Sequence, residues 1–491
     1  MIHLRRFKKI GLVPVILLVF LTLLTSFCKK KETAPPQLNI SSSEVAFLPE
    51  GGTSSVTVTS NAKWSTKNLA DSWLQLNQVA GSEGDTELKL IAAANATGIS
   101  RSAVLTVTSD NGQARRLTLS QASNLFPSYN TSPKAPDQTG MNSTAVQLAA
   151  KMHLGWNIGN TMESPGGESG WGNPQITESY VKFVKQTGFN AIRIPCAWDW
   201  KHLSDRQKAT IDPAWLNRVK EVVKYCVDND MYVLLNIHWD GGWLENNINQ
   251  VKKDSVNAKQ KALWEQIATT MRDFDEHLMF ASANEPAADN AEQMALLNGF
   301  HQTFINAVRA TGGRNSYRVL VVQGPGTNED KTNTLMNSLP ADQVANRLMV
   351  EVHNYTPSQF TILDNDATWG KMFYYWGAGH HSTTQPDRNA TWGEESEHIR
   401  TFGLMKAKFI DKGIPVILGE YGAYKRGNTK NVPLDLATHN ASVDYWNNYV
   451  TKQAIQFGLK PFFWDTGNAL DRRNNTVLDQ GTINALVTGG K

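Results

Sequence analysis

From about residue 143 this chain repeats one pattern, a short apolar run followed by a helical stretch. The runs are HLGWNIG (153–159), AIRIP (191–195), YVLLNIH (232–238), LMFASANE (278–285), RVLVVQG (318–324), LMVEVHNY (348–355), PVILGEY (415–421) and PFFWDTG (461–467). They do not alternate polar with apolar residues, as expected of strands buried on both faces of a parallel sheet. A helix at 143–151 precedes the first run. Amphipathic stretches such as 213–229, 258–275, 291–311 and 441–457 separate the others. Eight strands alternating with helices predict an α/β domain, a (β/α)8 TIM barrel. The alternative is a doubly wound open sheet. It is weakened because no G-x-G-x-x-G follows the first strand and no phosphate-binding loop appears elsewhere.

The polar residues then fall into register. Arg193, His238, Asn284, Glu285, His353, Tyr355, Glu420 and Trp464 come from strands two, three, four, six, seven and eight, at or near their C-terminal ends. Barrel active sites are built there. Two glutamates ending buried strands, in a chain with 15 tryptophans, point to acid-assisted cleavage of a sugar polymer. Either glutamate alone has an equally good structural reading. Glu285 would cap a helix before Pro286, and Glu420 would make a surface ion pair. All eight positions together would need a concerted accident.

The chain has 491 residues, 41% hydrophobic and 19% charged, which suits a globular protein with a large core. Removing the four basic residues of segment 1–27 from the formal net charge of +3 leaves −1. That balance gives no reason to expect nucleic acid and suits a neutral substrate. The four basic residues precede an apolar stretch, Ile10 to Leu24, of the length of an export signal. It runs into Leu24-Thr25-Ser26-Phe27-Cys28, which resembles a bacterial lipobox, although Phe27 departs from the usual small residue. The resemblance implies lipidation of Cys28 and a membrane attachment through that lipid, with the protein in the cell envelope as an outer-membrane lipoprotein. Residues 1–28 are then the signal segment and 29–37 a tether. Cys196 at a strand top and Cys226 late in a helix are expected too far apart to bridge, and no spacing suggests a metal site.

Residues 38–122 form a separate unit. SVTVTS (55–60), TELKLIAA (86–93), AVLTVTS (103–109) and RRLTLSQ (115–121) alternate with period two, with turns expected at Gly51-Gly52, Gly81 and Asn111-Gly112. A small all-β, immunoglobulin-like sandwich follows, with Trp64 and Trp73 in its core. The Gly-Gly hairpin, Asn61, Trp64, Trp73-Leu74, Ala94-Asn95, Arg101 and the terminal Leu119-Ser120-Gln121-Ala122 resemble a BACON domain. That name implies carbohydrate binding, but no aromatic platform is visible, and a spacer role is as good a reading. Residues 123–142 lack periodicity and read as a linker to the catalytic domain, 143–491.

That last region resembles glycoside hydrolase family 5. The matching motifs are Gly155-Trp156-Asn157, Arg193-Ile194-Pro195, Asn236-Ile237-His238, Asn284-Glu285-Pro286, His353-Asn354-Tyr355, Gly419-Glu420 and Phe463-Trp464. The resemblance implies retention of anomeric configuration, no cofactor and no metal. It implies that Glu285 is the acid/base and Glu420 the nucleophile, and that Asn284 hydrogen-bonds the sugar 2-hydroxyl. Arg193 and Tyr355 would steady the nucleophile, His238 and His353 complete the polar floor, and Trp464 stacks beneath the sugar. On these roles Arg193 and Tyr355 should lower the pKa of Glu420, and the negative Glu420 should raise that of Glu285.

Trp171, Trp198, Trp200, Trp239, Trp243, Trp369, Trp376 and Trp392 lie after strands one, two, three and six. About half are expected to be structural. The rest, Trp239 among them, would line a cleft for a flat β-1,4-linked polysaccharide. The segment 357–397 is a long insertion that would shape one cleft wall, with His380-His381 as polar loop surface. The subtype resembles the cellulases, giving a retaining endo-β-1,4-glucanase, expected to be monomeric. Xyloglucanase, mixed-linkage glucanase and mannanase are alternatives, as is a glycan-binding protein that holds sugar without cutting it.

Overall fold

The computed structural model describes residues 35–67, 72–95 and 100–491. The export segment, Cys28 and most of the tether lie outside the described residues. Two compact units emerge, one ending at Gln121 and the other running from Ala122 to Lys491 with the short piece Asn95–Arg101 counted to it.

The first unit is a sandwich. One sheet orders Leu38–Ile40, Gly52–Ser60, Gly84–Ala92 and Leu74–Leu76. The other orders Glu44–Phe47, Ala114–Gln121, Arg101–Ser109, Trp64–Thr66 and Ala80–Gly81. Alternation in the long strands puts Val56, Val58, Leu88, Leu90, Leu105, Val107, Leu117 and Leu119 into one core with Trp64 and Trp73. Gly81 is more than a turn residue. It pairs with Trp64 in the sheet, and a Cβ there would lie 2.5 Å from the Trp64 indole.

The second unit is a closed parallel barrel of eight strands in sequence order. They are β1 (Gly155–Ile158), β2 (Ala191–Ile194), β3 (Tyr232–Asn236), β4 (Leu278–Ala281), β5 (Leu320–Gln323), β6 (Leu348–Asn354), β7 (Val416–Tyr421) and β8 (Lys460–Asp465). β8 pairs back onto β1 to close the ring. Outward residues such as Ile192, Val233, Phe280, Val322, Val350 and Leu418 pack in the shell shared with the helices. Inward residues Ala191, Leu234, Met279, Val321, Met349, Ile417 and Phe462 fill the lower lumen. The helix Ala145–Lys151 plugs it from below with Leu148 and Ala149. That helix starts with a capping box, Thr144 and Gln147 each accepting from the other's backbone N–H.

Period two along each strand replaces the apolar lower layer with a polar one above it. Ala191 is followed by Arg193, Leu234 by Asn236, Val321 by Gln323, and Met349 by Glu351 and His353. β7 departs from this count. Val352 pairs with Leu418, but His353 pairs with Glu420, leaving Gly419 as an extra residue. The bulge turns Glu420 to the lumen side, where simple alternation from Ile417 would have sent it outward.

The segment 123–142, read as a linker, is held on the barrel from Ser128 onward. The Tyr129 N–H donates to Glu265 Oε2 at 2.6 Å, Asn130 Nδ2 donates to the Ala310 carbonyl and Arg272 donates to the Ser132 carbonyl. Lys134–Pro136 pairs with Gly312–Gly313. Gly312, at φ 69°, admits this strand because a Cβ there would lie 1.8 Å from the Lys134 carbonyl oxygen. These are side-chain-to-backbone and backbone contacts that leave no apolar period in the sequence.

Candidate active site

The barrel mouth gathers the residues singled out at the strand ends. Arg193, fully buried on β2, donates from Nη1 to Glu420 Oε1 at 2.8 Å and from Nη2 to Asn284 Oδ1 at 2.8 Å. Tyr355 donates its hydroxyl to Glu420 Oε2 at 3.1 Å. Burial and the neighbouring Glu420 and Glu285 charges push that phenol far up, so it stays a donor. His353 Nδ1 lies 2.8 Å from Glu285 Oε1 and 3.8 Å from Glu420 Oε2. His238 stacks on Trp464, with centroids 5.7 Å apart. Burial and the Arg193 and His353 charges keep it neutral. Trp464 lies over Gly159, where a Cβ would come within 2.7 Å of the indole.

Donor atoms of Glu285, His353 and Glu420 all lie within 4.8 Å of one another. The two carboxyls are thus near the separation of about 5–5.5 Å at which one attacks the sugar carbon while the other protonates the departing oxygen. Among the described residues this is also the grouping tight enough to consider for a metal ion. Its chemistry does not suit one, because both His353 nitrogens face carboxylates, Nδ1 toward Glu285 and Nε2 toward Glu351 at 3.3 Å. Only a doubly protonated ring serves both. Burial opposes that charge, but Glu420, Glu285 and Glu351 outweigh it and raise His353 to about 10.

The pair's electrostatics run opposite to the sequence expectation. Burial raises Glu285, but the hydrogen bond and charge of His353, with Arg193, bring its carboxyl below the usual range. Its side chain is 45% exposed. Glu420, 7% exposed, is pushed up by burial and by the Glu285 and Glu351 charges, against the pull of His353 and Arg193. The expectation missed that the imidazolium donates to Glu285 rather than to Glu420. The helix-cap reading of Glu285 also fails, since the next helix starts at Ala291, capped by Asn290.

No role was readable in the sequence for several polar residues here, although Asn157 stands in a matching motif. Glu245, buried in the loop after β3, accepts the Glu285 N–H at 2.6 Å and is raised to about 7, chiefly by burial. Asp240 accepts the N–H groups of Asp199 and Trp200 and the indole N–H of Trp243, tying the β2 and β3 loops together. Asn157 holds the β7–β8 seam through the Gly419 and Phe462 carbonyls. Glu351 lies fully buried beneath Arg193 and His353.

Of the eight loop tryptophans, Trp198 and Trp376 are core and Trp243 is half-buried, while Trp171, Trp200, Trp239, Trp369 and Trp392 are exposed. Trp200 and Trp239 lie 6.0 Å apart on one side of the mouth. Trp392, from the insertion after β6, joins Glu285, Tyr355 and Thr327 around a cleft of about 300 Å³ on the other. His381 pairs with Glu394, and His380 stacks on Tyr445. Cys196 and Cys226 are free and buried.

A parallel eight-stranded barrel with two facing carboxyls at its mouth, steadied by Arg, His and Tyr, defines a retaining-type glycosidase. The comparisons agree. The model of cellulase, glycosyl hydrolase family 5, matches residues 156–470, and the BACON model, a putative N-terminal binding domain, matches 62–122. The xyloglucan-specific endo-β-1,4-glucanase of Bacteroides ovatus is 32% identical, over 98% of each chain. The structure of a Bacteroides ovatus family 5 xyloglucanase with a XXXG heptasaccharide superposes with a TM-score of 0.68 at 32% identity, covering 92% of this chain and 100% of that one. A xyloglucan-specific β-1,4-glucanase from a ruminal metagenomic library, bound to XXLG, gives 0.64 at 38% identity, over 71% of this chain and 96% of that one. This chain belongs to glycoside hydrolase family 5 and carries an N-terminal BACON domain.

Proposed function

We propose that this protein is an endo-β-1,4-glucanase whose preferred substrate is xyloglucan, cut with retention of configuration. The observation that carries the chemistry is the close Glu285–Glu420 pair around one imidazolium. The choice of substrate is supported by likeness along 98% of the chain to a xyloglucan-specific relative. Glu420 is the nucleophile, oriented by Arg193 and Tyr355. Glu285 is the acid/base. A glucan chain covering the half-exposed Glu285 strips its water, which raises its pKa, so that Glu285 takes up the proton while Glu420, accepting from Arg193 and Tyr355, stays ionised. Glu285 then gives that proton to the glycosidic oxygen as the C1–O bond breaks, and Glu420 bonds to C1. In the second half Glu285 takes a proton from water, whose oxygen displaces Glu420 from C1. Asn284, held by Arg193, presents its amide Nδ2 to the 2-hydroxyl. Trp464 stacks under the sugar, and Trp239 extends the platform.

The lipobox-like Cys28 supports a lipid-anchored envelope protein acting on polysaccharide outside the cytoplasm. Reducing ends released from xyloglucan, carboxymethylcellulose, mixed-linkage glucan and glucomannan test the substrate. We expect the highest kcat/KM on xyloglucan. A higher value on carboxymethylcellulose would move the protein to the cellulases, and no release from any would leave a glycan-binding barrel.

A further inference from the structure

Two residues before His353 on β6, Glu351 is wholly buried and belongs to none of the roles above. Its Oε1 forms an ion pair with Arg193 Nε at 2.9 Å and faces His353 Nε2 at 3.3 Å. Its Oε2 accepts from Gln323 Nε2 at 2.6 Å. Room for it comes from the β7 bulge, because a Cβ at Gly419 would stand 2.0 Å from Oε1. The extra residue that aims Glu420 into the lumen is therefore also the one that admits Glu351 beneath it.

We propose that Glu351 is a positioning residue that holds His353 as a permanent imidazolium and Arg193 in register, so that Glu285 and Glu420 together carry one negative charge throughout the cycle. The argument is charge balance. Arg193 and His353 supply two cations. Glu351 and one member of the catalytic pair supply two anions, leaving the other member neutral. Once Glu420 is esterified to the sugar, Glu285 is the anion and the balance is unchanged. Glu351 cannot exchange with solvent and does not touch the cleft, so it stays fixed while the other two trade charge. Burial opposes its ionisation, but Arg193, His353 and the Gln323 amide hold it below the usual carboxylate range. His353 is faced by Glu285 after β4, Glu420 on β7, Tyr355 just past the end of β6, and the like-charged Arg193 on β2. It also senses neutral His238 after β3 and buried Glu329 after β5.

This inference rests on the roles proposed for Glu285 and Glu420, whose own variants test those roles separately. The experiment is Glu351→Gln in the full chain, with the kcat/KM pH profile and ¹⁵N NMR of the His353 ring. Loss of the buried anion should bring the His353 titration down into the assay range. The basic limb of activity should fall by about one pH unit, a loss approaching tenfold at pH values above the wild-type limb. Glu351→Asp, which keeps the charge, should hold the limb near its wild-type position while lowering kcat. A folded Glu351→Gln with wild-type limbs and an unmoved His353 would overturn the proposal and make Glu351 a structural residue. If Glu351→Gln does not fold, the wild type still decides. Its His353 must show both ring N–H protons at pH 7, free and as the trapped glycosyl-enzyme, and a neutral ring in either state ends the proposal.

Discussion

The lower and upper halves of the barrel lumen are built by the same strands and differ in almost every physical respect. Below, Leu234, Met279, Val321, Met349, Ile417 and Phe462 make a dry plug closed by the helix Ala145–Lys151. Two residues further along, Arg193, Asn236, Gln323, Glu351 and His353 are just as buried, yet charged or polar. Apolar packing stabilises without regard to partner identity. Buried charge is tolerated only where each group has its counterpart, and losing one leaves the other stranded. The lower half should therefore answer to substitution in stability alone, and the upper half in turnover and, where a charge is stranded, in stability too.

The sharpest break would come at Glu420. Glu420→Ala should lower turnover by about 10⁴-fold or more with little change in Tm, because it removes a carboxyl that burial disfavours. Azide should then attack from the vacated side to give a glycosyl azide of inverted configuration. Unfolding instead of inactivity would place Glu420 with the structural charges.

Glu285→Ala should cost about 10²–10⁴-fold on polysaccharide and much less on aryl glycosides whose leaving groups need no proton. Here azide would intercept the glycosyl-enzyme with net retention. Retention in the azide product of Glu420→Ala and inversion in that of Glu285→Ala would mean that the roles are exchanged.

Trp464→Ala sharpens the contrast. Its ring rests on Gly159 and His238 and is only partly buried, so kcat/KM should fall about tenfold while Tm barely moves. A large fall in Tm with unchanged specific activity would assign it to the core.

Ile417→Ala, in the lower half, should destabilise by about 2–5 kcal/mol yet leave kcat within about twofold well below Tm, as differential scanning calorimetry and steady-state rates would show. The smallest effect on turnover is expected from beginning the chain at Ala122, which keeps the contacts of Ser128, Tyr129 and Asn130 with Glu265. Beginning at residue 140 would remove them and should cost stability. Equal Tm for the two truncations would show that those contacts contribute little.

The pH dependence follows from His353. Its folded value of about 10 lies above the ordinary value of 6.5. Its contribution is thus complete below pH 6.5 and is lost as pH rises toward 10. Tm should decline over that window, and the decline should be shallower in His353→Gln.

Much of this was legible in the sequence. All eight strands form where unbroken apolar runs stand, and the helices Pro213–Asp228 and Ala291–Ala310 match their amphipathic stretches closely. Parallel strands covered on both faces must be apolar throughout, so the signal is strong. Arg193, Asn284, Glu285, His353, Tyr355, Glu420, His238 and Trp464 all reach the mouth, because strand ends in a barrel converge there whatever the loops do. Trp64 and Trp73 fall in the sandwich core as their alternating neighbours require.

Other features depended on the closed tertiary structure. Residues buried on both faces carry no mark of which face they take, so nothing along the chain separates Glu351 from an outward carboxylate. The extra residue at Gly419 reverses the parity that would have turned Glu420 away, and a bulge is visible only against its partner strand. Glu245 and Asp240 find backbone N–H groups about 40 residues away in sequence. The direction of the carboxyl pKa values turned on which oxygen His353 Nδ1 faces. Sequence determined the strands, the barrel and the list of reactive groups, because burial and periodicity are local. Charge pairing and proton placement were decided by the fold, because electrostatic energy depends on distances of a few ångströms between residues remote along the chain.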